Sequence, residues 1–223
     1  MLKYLILTIL LFSAVAVGQK KQFTEELLPD DCTFETVGRN RYFILEPGYQ
    51  LTLENKSGDR LIVTVLSETR KIGDVETRVV EENESKNGRP VEVSRNFFAF
   101  CRETASVYYF GEEVDLYKNG RLVKGEDAWT AGGENRAGLA MPGLVLLGAR
   151  YYQEIAPGVA MDRAEIISIS ETKNTPAGNF TGCLKTEETT PLEPREKEYK
   201  FYAPGVGLIQ DEDLLLTKYG FIK

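Results

Sequence analysis

Alternation of apolar and polar side chains with a period of two, broken at regular intervals by turn residues, constrains this chain more than any other feature. Tyr49, Leu51 and Leu53 alternate with Gln50, Thr52 and Glu54, and after Asn55-Lys56-Ser57-Gly58-Asp59 the alternation resumes at Leu61, Val63 and Val65. Successive side chains of a strand point to opposite faces, so this is the pattern of a hairpin with one buried face. A second hairpin is predicted across Lys86-Asn87-Gly88-Arg89, between residues 74–82 and 91–100, because Asn-Gly suits a turn with two positive φ angles. A third turns at Lys118-Asn119-Gly120-Arg121, between residues 107–110 and Leu122-Val123. Residues 125–148 hold six glycines, Pro142 and the single tryptophan, Trp129, which predicts a structured loop or bulged strands rather than helix. Strand-like runs return at 151–155, 164–170, 182–189, 198–202 and 208–217. Past the N-terminus the best helix candidate is a short piece at 24–28. The expected fold is therefore mostly β: a single antiparallel meander curled into a barrel, half-barrel or sandwich. An open sheet that long would leave its edges and one face uncovered.

The first eighteen residues read as an address. Lys3 gives a positive start, residues 4–17 are almost wholly apolar, and Ala16 and Gly18 place small side chains before a cut at Gln19. That run is too short for a spanning helix, which needs about 20 apolar residues. The expected organisation is a signal peptide over 1–18, a polar leader over 19–40 and a single β domain over 41–223. The signal predicts an exported protein, periplasmic or secreted, with no integral membrane segment after cleavage.

Composition removes whole reaction classes. The chain has 223 residues and no histidine, which excludes Ser-His-Asp and Cys-His nucleophiles and imidazole metal sites. Against 27 basic residues stand 34 acidic ones, with no basic run and interleaved aromatics, so nucleic acid is not an expected partner. The glycines of 125–148 lack the context of a phosphate-binding loop. Cys32, Cys101 and Cys183 are too widely spaced for a zinc pattern. They are either small buried hydrophobes or one disulfide plus a free thiol, and for a bridge we select Cys32 with Cys101. No metal and no cofactor is expected. Carboxylate pairs are the remaining route to catalysis: Glu112 and Glu113, Glu126 and Asp127, and Glu154 with Asp162. A glycosidase-like hydrolase would need two of them facing across a cleft. Asp211-Glu212-Asp213 lacks the spacing of a calcium loop.

Aromatic side chains crowd neighbouring strands and point to binding rather than catalysis. Phe98, Phe100, Tyr108, Phe110, Trp129 and Tyr202 are the candidate lining of an apolar site, since curled sheets can enclose cavities. An ordinary aromatic core accounts for the same residues.

Several stretches resemble a group of uncharacterised exported bacterial β-proteins: Arg41-Tyr42-Phe43-Ile44-Leu45-Glu46-Pro47-Gly48, then Met141-Pro142-Gly143, and Tyr202-Ala203-Pro204-Gly205-Val206-Gly207-Leu208. Ile44 stands where that group tends to carry proline. The resemblance implies export and a β fold, with a fold-level analogy to periplasmic open-barrel lipoprotein carriers. The reading that follows is a non-enzymatic exported protein that binds a hydrophobic small molecule, a lipid or an envelope protein. A carboxylate-dependent hydrolase of envelope glycans and a purely structural or interaction module are the alternatives. Protein recovered from its host's envelope should have a mass corresponding to a chain that starts at Gln19; a mass that retains residues 1–18 would refute cleavage.

Overall fold

The structure, a computed structural model, describes residues 21–29, 31–118, 120–124 and 128–222. The signal segment, the cut at Gln19, Asn119, Glu126 and Asp127 lie outside the described residues. The sheet begins with β1 (Phe34–Glu35), and a separate hairpin follows from β2 (Gly38–Asn40) and β3 (Phe43–Leu45). Long strands come next: β4 (Tyr49–Glu54), β5 (Arg60–Ile72), β6 (Val75–Lys86), β7 (Arg89–Cys101) and β8 (Ser106–Lys118). Short pieces then pass through the glycine-rich region: β9 (Arg121–Lys124), β10 (Trp129–Thr130), β11 (Arg136–Met141), β12 (Arg150–Tyr152) and β13 (Glu154–Ile155). The chain ends in β14 (Arg163–Thr175), β15 (Gly178–Thr189), β16 (Glu198–Ala203), β17 (Gly207–Asp211) and β18 (Leu214–Phe221). No helix occurs among the described residues. Residues 24–28, the expected helix, form none, and Thr24 is bridged to Tyr151; tertiary pairing outweighs a weak local preference there.

Thirteen strands form one antiparallel meander nearly closed into a barrel, in the order β12-β14-β15-β16-β17-β18-β4-β5-β6-β7-β8-β11-β13. The two ends of that path are consecutive in the chain. Residues 150–152 pair with β14 and residues 154–155 with β11, and the N–H groups of Gln153 and Glu154 both donate to the Asp162 carbonyl, at 2.7 and 3.1 Å. At this seam Gly138 approaches the Gln153 backbone so closely that a Cβ would lie 2.1 Å from its carbonyl oxygen. The turn between β6 and β7 has both central residues at positive φ, Asn87 at 52° and Gly88 at 73°, as the Asn-Gly pair required. The 208–217 run is in fact two strands that turn at Glu212, whose φ is 48°.

The β2–β3 hairpin plugs one end of the barrel. Its anchor is Asn40, 2% exposed, whose Nδ2 donates to the Ala105 and Pro142 carbonyls at 2.8 and 3.0 Å while Oδ1 accepts from the Tyr42 N–H at 2.8 Å. The Pro204-Gly205-Val206-Gly207 corner completes the dock: Gly205 N–H donates to the Arg41 carbonyl, and Tyr49 OH donates to the Val206 carbonyl. Outside the barrel Leu27 and Phe34 cover β8, with the Phe34 ring edge-on to Tyr108 and Phe110 and Tyr108 OH donating to the Leu27 carbonyl. A disulfide joins Cys32 to Cys101, with Cα atoms 5.6 Å apart, and ties that segment to β7; Cys183 is a buried free thiol. No helix among the described residues is long and apolar enough to cross a membrane.

Asn40→Leu should lower unfolding stability by roughly 3 kcal/mol, because it leaves two half-buried carbonyls and the buried Tyr42 N–H without partners. Denaturant titration reads this directly, and a loss below about 1 kcal/mol would mean that the plug is not anchored there. Reducing the Cys32–Cys101 bridge, which closes a chain separation of 69 residues, should cost about 4 kcal/mol and lower Tm by roughly 10 °C.

Candidate functional site

Above the plug the barrel is hollow. A cavity of ≈ 240 Å³ has Tyr42, Phe43 and Ile44 of the hairpin as its floor. Its lower wall is apolar, from Leu51, Val65, Val80, Phe98 and Leu208 among others. The upper wall is polar, and strand register explains why. Directly paired residues share a face. The inward rows are therefore Val65-Val80-Asn96-Glu112, then Val63-Glu82-Ser94-Val114, then Leu61-Glu84-Glu92-Leu116 nearest the mouth. On the opposite wall Tyr202 pairs with Leu208 and Lys200 with Asp211. A second recess of ≈ 330 Å³ adjoins the cavity, shares Leu61, Lys200 and Asp211 with it, and is rimmed by Asp59, Glu84, Glu198, Glu212 and Asp213. Together they are on the scale of ligand pockets, about 300–1,000 Å³.

Seven carboxylates and one cation line the cavity among the described residues: Glu82, Glu92, Glu112, Glu154, Asp162, Glu188 and Asp211, with Lys200. Lys200 Nζ lies 3.2 Å from Glu188 and 3.7 Å from Asp211, and the Glu188 charge pushes its pKa well up, so it stays protonated. Glu188 is held further by hydrogen bonds from Thr186 Oγ1, Tyr202 OH and Gln153 Nε2, at 3.0, 3.3 and 3.4 Å. No salt bridge reaches Glu82 or Glu154 among the described residues. Burial pushes the Glu82 carboxyl up to about 7, with Lys200 opposing. Burial also raises Glu154 strongly, and the negative charges of Asp162 and Glu112 add to it. Asp162 and Asp211 are raised for the same first reason. Tyr109 OH donates to Asn96 and, at 3.1 Å, to Glu112. Gln153 Oε1 is buried beside this group and has no donor.

The aromatic candidates divide between the two faces of the sheet. Phe98 and Tyr202 line the cavity, Phe98 stacked on Tyr109 at 4.6 Å and edge-on to Phe43. Phe100 packs below the floor against Gly38, and Tyr108 and Phe110 face outward under the leader. Trp129 lies behind Tyr109, ring centroids 5.5 Å apart, and does not line the cavity. Of the acids named from sequence, Glu112, Glu154 and Asp162 converge on the cavity, whereas Glu113 points outward to an ion pair with Arg70. Sequence reasoning passed over Glu82, Glu92, Glu188 and Lys200. The signal was there in part: Val80, Glu82 and Glu84 share a face by period two, but acids on an inward face contradict the pattern used to define that face. No protein-family model, no curated protein and no solved structure matches the chain.

The raised carboxyls make stability fall with increasing pH. A neutral acid is better tolerated in the cavity than a charged one, so the contribution is complete below the ordinary carboxylate range and is lost as pH rises through the folded value, about 7 for Glu82. The opposite group, Glu103 held down to about 2 by the Thr33 N–H and Glu165 held down by Arg150, loses its contribution only in stronger acid. Protein without a ligand should therefore melt higher at pH 5 than at pH 8. Glu82→Gln should recover about 2 kcal/mol at pH 8, after a discount for its contact with cavity water. A melting temperature that is flat across this range, in both proteins, would show that the cavity acids are fully hydrated.

Proposed function

We propose that this exported β-barrel is a non-enzymatic carrier or receptor that holds a small amphipathic molecule in its interior. The observation that carries the reading is the two-part cavity, an apolar floor and lower wall below a ring of polar groups at the open end. Such a gradient orients a ligand, because the apolar portion gains by leaving water only if it enters first. The floor belongs to a hairpin anchored by Asn40 and the Gly205 corner, so the pocket is shaped before any ligand arrives.

A hydrolase is the second reading, favoured by burial raising the Glu154 carboxyl in the same cavity as Glu112. The apolar floor and small volume fit a glycan chain poorly. An interaction role has its own support in the loop between β11 and β12, where Leu144, Leu146 and Leu147 are 74%, 57% and 65% exposed.

Native mass spectrometry of the protein purified from its host's envelope tests the carrier reading. The expected result is a reproducible small mass above the polypeptide that is lost on denaturation. A bare polypeptide that also fails to take up 1-octanol, in a calorimetric titration, would overturn it.

A further inference from the structure

We infer that the ligand of this cavity is an organic cation, an amine with an apolar tail; this rests on the reading of the cavity as a binding site and names the chemistry it selects. Charge is the first reason. Lys200 is the only basic side chain in the lining among the described residues, and it is already engaged by Glu188 and Asp211. Glu82 and Glu154 line the same cavity half-buried and meet no salt-bridge partner among the described residues, the Lys200 charge acting on both without an ion pair. Half-buried carboxylates without an ion-pair partner are costly, and a protonated amine in the cavity would supply both the charge and the hydrogen-bond donors they lack. Gln153 Oε1, buried in the cavity lining with no donor, marks the same deficit of N–H groups.

The spacing of the acids selects an organic cation over a metal ion. Among the described residues the only three ligand-type groups whose atoms fall within 4.8 Å of one another are Cys32, Cys101 and Glu103, outside the cavity. No three of the interior carboxylates converge to that degree, whereas a calcium ion gathers six to eight oxygens at 2.3–2.6 Å. Acids spread around a wall suit an ammonium group with several donors on an extended molecule. The apolar floor then takes the tail, with Phe98 and Tyr202 bordering it. The rim of Asp59, Glu84, Glu198, Glu212 and Asp213 places further negative charge at the entrance, which attracts a cation and repels a fatty acid.

The test is a calorimetric comparison of three eight-carbon probes, octylammonium, 1-octanol and octanoate, at pH 8 on the purified protein. Octylammonium should bind tenfold to a hundredfold more tightly than 1-octanol, and octanoate should not bind. Glu82→Gln and Glu154→Gln should each weaken octylammonium about tenfold and leave 1-octanol within twofold, which a purely structural effect on the barrel would not do. Equal affinity for octylammonium and 1-octanol, or preference for octanoate, would overturn the cationic assignment while leaving the apolar pocket intact. Binding of none of the three would remove the binding reading itself. Full displacement of octylammonium by 1 mM calcium would assign the acids to a metal instead.

Discussion

Closing a sheet into a ring sets the width of what it encloses. About eight strands leave an interior that side chains can fill, and sixteen or more leave a water-filled channel. Thirteen strands lie between these regimes. The chain meets the surplus width at one end by folding the β2–β3 hairpin inward as a plug, with Tyr42 and Leu45 buried. At the other end the width is left as a cavity. The site is thus a consequence of strand number, and its position along the axis is set by how far the plug reaches.

The seam where the ring closes is also where the chemistry is densest. One stretch, residues 150–155, pairs on one side with β14 and on the other with β11, and its middle is held by the Asp162 carbonyl. Gln153, Glu154 and Asp162 all line the cavity from this seam. Gly138 is needed opposite, since any side chain would collide with the Gln153 backbone. Closure and the placing of Glu154 are therefore one structural event, and the desolvation that raises its carboxyl follows from being held inside the ring.

Much of the strand pattern was legible in advance. The β4–β5 and β6–β7 hairpins fall where alternation and Asn-Gly place them, and the corner at Pro204 to Gly207 turns with Gly205 at φ 73° and Gly207 at φ 106°. The candidate site was legible only in part. Phe98 and Tyr202 reach the cavity, while Tyr108 and Phe110, on the same crowded strands, are turned outward and covered by Leu27 and Phe34. An aromatic run marks a sheet buried on both faces, and the run alone does not distinguish the face that meets a cavity from the face that meets a covering segment.

Local chemistry by itself determined that this chain forms short antiparallel strands, where most of them turn, and that no imidazole takes part in whatever it does. Those properties belong to single residues and their near neighbours: side chains alternate along a strand, Asn-Gly accepts positive φ, and histidine is absent. The tertiary structure decided which face is inside, that the two ends of the nearly closed sheet meet at residues 150–155, and that Glu82, Glu154 and Lys200, up to 118 positions apart in the sequence, share one cavity. Cross-strand register is the physical reason. It is a sum over many long-range pairings, and a one-residue slip in any of them would exchange the buried face for the exposed one.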